Sequence, residues 1–207
     1  MALTITGSEV CAWTAVAQNA VTDSGVIDLS GSYASHLTID LGTTEDGVVH
    51  NGTRVVVEVC LHASGTEFWS PLLDYVALYG TANGEAVTDD PSIAAGQVEV
   101  AVASTTGYTP ALADGGSQLV FLKDATLGNS ELCRVVKVAS DSKIEVDQLL
   151  ARTHVKTTSI FYSVADSKTI AIPFGILRAK VLIDNAYDIN GATIAARVHK
   201  TITTALT

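Results

Sequence analysis

The chain has 207 residues, 47% of them hydrophobic and only 16% charged, and its 12 Lys and Arg against 22 Asp and Glu give a net charge of -10. That length buries a self-sufficient core without disulfides or a metal. An acidic chain with no basic cluster repels a phosphate backbone and an anionic membrane surface, which argues against direct nucleic-acid or membrane binding.

The opening stretch MALTITGSEV, Met1 to Val10, has neither a basic n-region nor a continuous apolar core, so it does not read as a secretory signal. No apolar run approaches the ~20 residues of a membrane-spanning helix. Strand signals then recur along the whole chain, among them GVIDLS, SHLTIDLG, TRVVVEVCLHA, GQVEVAVAS, SQLVFLKD, LCRVVKVAS, TSIFYSVA, RAKVLIDNA and ATIAARVHK. Most alternate apolar with polar residues, the period of two of half-buried antiparallel strands. Between them lie TDSG, TTEDG, HNGT, ANGE, ADGG and INGA, clusters of Gly, Asn and Asp suited to tight connections. SPLLDYVALYG and VDQLLARTH read as the only short helical turns.

Composition breaks at VTDDPSIAAG, Val87 to Gly96, and more weakly at VADSKT, Val164 to Thr169. The expected fold is therefore all-β: an antiparallel β-sandwich of jelly-roll type from residues 1–90 together with 169–207, carrying a small inserted β-barrel-like domain at 91–168. Two consecutive domains are the alternative. No tandem repeat is evident, which argues against a propeller or solenoid.

Residues that could carry chemistry are dispersed. Cys11, Cys60 and Cys133 each sit in an apolar run and read as buried free thiols, as in a protein made in a reducing cytoplasm. The histidines His36, His50, His62, His154 and His199 show no metal-ligand spacing and read as surface or strand-end residues. LSGSYA and HASGTE lack the frame of a nucleophile elbow and read as turns. The carboxylates of TTEDG, TDDP and ANGEA suit local backbone hydrogen bonds. Their spacing does not follow a calcium loop, and no Gly-rich phosphate loop is present. Asn51-Gly52-Thr53 reads as a hairpin turn rather than a glycosylation site. No enzyme activity, cofactor or metal is expected.

In this aromatic-poor chain Phe68 and Trp69 stand side by side in SGTEFWSPL. In extended backbone neighbours face opposite ways, so one of the two faces outward or toward a second layer. Either the pair seals the base of the sandwich or one member anchors a partner, and Trp13 in VCAWTAVA carries the same alternatives. The scattered tyrosines disfavour a carbohydrate-binding face, though a carbohydrate-binding module stays open as an alternative.

GVIDLSGSYASHLTIDLG and NGTRVVVEVCLHASGTEFWSPLLDY resemble the opening of small virion proteins of tailed bacteriophages. ASTTGYTPALADGGSQLVFLKDATLGNSELCRVVKVASDSKIEVD is similar in style to the small β-domains such proteins carry. The resemblance implies a decoration or cement protein, made in the host cytoplasm and bound to the outer capsid surface as a trimer or dimer, with the major capsid protein as partner. A tail, neck or baseplate component is the alternative. On this reading Met1 to Val10 is an arm that orders on binding, and Trp13, Phe68 and Trp69 are the candidate interface anchors.

Overall fold

The computed structural model describes residues 3–65, 68–89, 92–110, 118–188 and 192–205. In chain order the strands are β1 (Leu3–Val16), β2 (Val21–Asp23), β3 (Ile27–Asp28), β4 (Ala34–Thr43), β5 (Val49–Cys60) and β6 (Ser70–Thr81). A second group follows: β7 (Gly84–Ala86), β8 (Ser92–Ile93), β9 (Glu99–Ala101), β10 (Leu119–Lys123), β11 (Glu131–Ser140), β12 (Lys143–Val146), β13 (His154–Val155) and β14 (Ser159–Phe161). The chain closes with β15 (Ala165–Ile172), β16 (Arg178–Asp184) and β17 (Ile194–Ala205). All named pairings are antiparallel, and a 3-10 turn at Leu127–Asn129 is the only helical element among the described residues.

Two sheets make the sandwich. One runs β1-β17-β4-β15 and the other β2-β16-β5-β6, with β3 also paired to β16. Alternation explains the core between them: Leu37, Ile39 and Leu41 of β4 face Val55, Val57 and Val59 of β5 and Val181 of β16, while Arg54, Glu58 and Lys180 keep to the outer side. The all-β sandwich expected from the period of two is the fold observed.

Pairing changes over at Gly84 and again between Phe161 and Ala165. In between, six strands run β7-β14-β10-β11-β12-β9. A bridge between Val87 and Val102, with Thr88 N–H donating to the Ala101 carbonyl at 3.0 Å, brings the two ends of that order together. The sheet thus curls around its own core of Val100, Val120, Leu122, Val135, Ile144 and Ile160.

A seam joins this lobe to the outer face of β4 and β17. There Phe121, Leu132 and Phe161 pack on Trp13 and Ala195, and Gly42 pairs with Ala195 to leave a depression that accepts the Phe121 ring. Beyond Asp40, β4 is therefore buried on both faces.

Four local expectations change. SPLLDYVALYG is strand β6, in ladder with β5 from Val49 opposite Thr81 to Val59 opposite Ser70. Leu72 is an extra residue where the register shifts between Val57 and Glu58, and this bulge breaks the period of two and gives the run its helix-like spacing. VDQLLARTH forms bends that lead into β13. Asn51 and Gly52 lie inside β5 rather than in a hairpin turn; Gly52 has φ of 114° where Asn51 pairs with Tyr79 and Thr53 with Ala77. The described part of the proposed arm, Leu3 to Val10, is an edge strand already paired with β17. ADGG, most of INGA, and Pro91 fall outside the described residues.

Candidate functional surface

Three connections meet at one end of the sandwich. After β15, Pro173-Phe174-Gly175-Ile176 forms a turn in which the Ile176 N–H donates to the Pro173 carbonyl at 3.3 Å, with Gly175 at φ of 90° as a type II turn requires. Phe174 stands at its tip, 81% exposed. Leu29, Gly31, Ser32 and Tyr33 border the same cavity of about 760 Å³, held in place by Leu29 N–H to the Leu177 carbonyl at 2.9 Å and Tyr33 N–H to Thr203 at 2.8 Å. Ile176 also borders a second cavity of about 290 Å³ with Val59, Leu61, His62, Phe68 and Ser70.

Ile176 joins the two into one apolar strip with no Asp, Glu, Lys or Arg among its lining residues. Tyr33, Leu61, Phe68 and Phe174 are all exposed along it. On a chain of net charge -10 this is an uncharged window, and its contiguous exposed apolar surface makes it the candidate interaction surface.

The three aromatic candidates separate. Phe68 is 81% exposed on the strip. Trp69 turns the other way and is half-buried, with Lys180 Nζ 4.7 Å and the Arg178 guanidinium 5.7 Å from its ring centre. Trp13 is 4% exposed and is buried by its own chain: its ring lies 4.7 Å from Phe121, and Arg197 sits 4.8 Å above it while donating two bonds to buried Asp40 at 2.8 and 3.1 Å. Trp13 therefore seals the seam between the lobes and presents no surface to a partner.

Two histidines expected near the surface are fully buried. His50 in β5 bonds through Nδ1 to Asp188 at 3.0 Å and through Nε2 to the Thr43 hydroxyl at 3.0 Å. Acid, imidazole and hydroxyl stand in the order of a nucleophilic triad, but all three are sealed from solvent and Thr43 also donates to the Glu45 carbonyl. A sealed hydroxyl meets no substrate, so the group acts as a clasp that ties the ends of β4 and β5 to the segment after β16. His154 Nε2 meets Glu131 at 2.9 Å, and Glu131 also accepts the N–H groups of Ala151 and Arg152 at 2.9 Å each. Burial opposes ionisation of Glu131, yet the bonds from His154 and the two amides outweigh it and hold the carboxyl below its usual value.

The turn carboxylates do accept backbone N–H groups, but from distant segments rather than from their own turns: Asp46 accepts Gly84 N–H at 2.8 Å, Asp89 accepts Ala101 at 2.7 Å, and Glu85 accepts Ala103 and Ser104. Cys60 and Cys133 are buried free thiols, but Cys11 on the edge strand is only half-buried. Among the described residues no group of three or more His, Cys, Asp or Glu is placed to hold a metal ion, and no helix is long and apolar enough to cross a membrane.

No protein-family model matches the sequence, and no curated protein matches it. Among solved structures, VP17, a capsid protein of bacteriophage P23-77, aligns over 99% of this chain and 98% of its own at 8% identity and a TM-score of 0.19, too low for a shared fold. Phe174, Tyr33 and Leu61 are the surface residues that sequence reasoning missed. The available signal was Pro173-Phe174-Gly175, a large apolar side chain at the tip of a turn.

Proposed function

We propose that the chain is a structural protein of a tailed-phage virion, and within that class a decoration or cement protein on the outer capsid surface. The observation that carries this reading is the uncharged apolar strip at one end of the sandwich, with Phe68 and Phe174 each 81% exposed. The resemblance of the sequence to small virion proteins names the class of partner, the major capsid protein. On this reading the aromatic side chains seat in apolar recesses of the shell while the acidic remainder faces solvent and stays clear of packaged DNA. Many modest contacts repeated by symmetry then hold the shell together.

The test is binding to purified shells stripped of this protein, comparing the unaltered chain with the double substitution Phe68→Ser and Phe174→Ser. The expected result is a loss of at least about tenfold in affinity with unchanged thermal melting. Equal binding by the variant contradicts the reading. Occupancy confined to one vertex moves the protein to the neck or tail, and glycan binding lost in the same variant moves it to the carbohydrate-binding class.

A further inference from the structure

The outer edge of β1 is built unlike the other open strand edges among the described residues. β15 carries Asp166 and Lys168, β6 carries Pro71, Asp74 and the Leu72 bulge, and β2 is three residues long, while β7 and β9 are brought together by the Val87–Val102 bridge. Charges, prolines, bulges and short length are the devices that stop an edge from pairing with another chain. β1 spans 14 residues, and Leu3 to Ser8 contains no charge and no proline. Its ladder to β17 is regular from Leu3 opposite Ala205 to Glu9 opposite His199, with register shifts only after Glu9. Leu3 and Ile5 are exposed, Ile5 to 72%.

We infer that β1 is an assembly edge that pairs antiparallel with β1 of a second copy about a two-fold axis at Ile5. The axis stands perpendicular to the sheet, so opposed residues share a face and have the same parity. Centred at Ile5, Leu3 opposes Gly7, Thr4 opposes Thr6 and Ile5 opposes Ile5: large against small, hydroxyl against hydroxyl, apolar against apolar. Centring at Thr6 sets Leu3 against Glu9, and centring at Thr4 shortens the ladder. Charge selects the same contact. Two copies of net charge -10 repel over most of their surface, and this ladder brings them together where neither strand is charged. One contact then closes the β1 edge of both copies, joining two four-stranded sheets into one of eight strands with β15 at each end. The contact is a dimer by geometry, and it does not depend on what the apolar end of the sandwich meets.

Sedimentation equilibrium of the full chain and of Ile5→Lys tests it. The expected result is a species of twice 21.5 kDa for the unaltered chain, and dimer affinity lowered by about tenfold or more in Ile5→Lys, where two lysines oppose each other. Ile5→Val keeps the dimer. Because Ile5 is largely exposed, all three chains melt alike at concentrations low enough that each is monomeric, and the dimeric chains gain stability as concentration rises. A monomeric unaltered chain overturns the inference, as does an Ile5→Lys chain that still dimerises equally well. An assembly that survives Ile5→Lys but dissolves in Phe174→Ser also overturns it, since the copies then meet through the apolar end. Monomeric Ile5→Lys that still binds stripped shells separates this contact from the shell contact.

Discussion

The ring of Phe121 lies against the bare backbone of Gly42, so close that a Cβ placed on Gly42 would come within 2.6 Å of the ring carbon Cγ. Phe121 belongs to β10 of the inserted lobe and Gly42 to β4 of the sandwich, so this contact sets how the two lobes meet. Gly42→Ala wedges a methyl into a filled seam, and an overpacked site of this kind costs about 1–3 kcal/mol. Urea denaturation checks the value. Phe121→Leu in the same chain should recover part of the loss, because it gives the methyl room.

Trp13 and the exposed phenylalanines should respond in opposite ways. Trp13→Ala empties the seam under Arg197 and costs about 3–5 kcal/mol. Phe68→Ala and Phe174→Ala leave stability within about 0.5 kcal/mol of the unaltered chain, since each side chain already stands in solvent. Thermal melting of the three variants measures the contrast.

Glu131 makes the fold sensitive to acid. Its carboxyl in the folded protein lies below the ordinary value of 4.5 because His154 and the amides of Ala151 and Arg152 bond its charged form. A lowered folded value gives stability that is present above pH 4.5 and is lost as pH falls through the folded value. Glu131→Gln should therefore be less stable than the unaltered chain at neutral pH, with the gap narrowing in acid. Melting temperature against pH for both chains follows it.

Asp166 works in the other direction. Burial, with Asp40 nearby, raises its carboxyl above the ordinary 3.8 despite Lys168, the Ser167 amide and the Tyr75 hydroxyl. A raised folded value gives stability that is complete below pH 3.8 and is lost as pH rises through the folded value. Asp166→Asn removes that loss and should gain on the order of 1 kcal/mol at neutral pH, with the advantage vanishing in acid. Denaturant titrations at two pH values decide it.

The thiols should divide by burial. The Cys133 thiol is pushed up to about 12 by burial, and Cys60 is buried as well, whereas Cys11 is half-buried on the edge strand. In the native protein a thiol reagent should modify Cys11 first, with Cys60 and Cys133 following only on denaturation. Mass spectrometry of the labelled peptides reads the order.

The strands of the sandwich were legible where they bury one face, so runs such as Arg54 to Val59 print a period of two into the sequence. β6 was not, because the Leu72 bulge shifts the period partway along the run. Asn51-Gly52 carries the composition of a turn but sits in a ladder, where long-range pairing outweighs local preference. The buried histidines left no local trace: Asp188 lies 138 positions from His50, and Glu131 lies 23 from His154. Phe68 and Trp69 did part to opposite sides as neighbours in extended backbone must. Which of the two faced solvent depended on Lys180 and Arg178, residues of a strand more than a hundred positions away.

The most direct test of the proposed role is the copy number of this chain in purified particles from its source, measured by quantitative mass spectrometry against the major shell protein. The account predicts a fixed stoichiometry with that protein, on the order of hundreds of copies per particle, as symmetric decoration of an icosahedral shell requires. About a dozen copies, the number of a ring at one vertex, or complete absence from the particle, would contradict it.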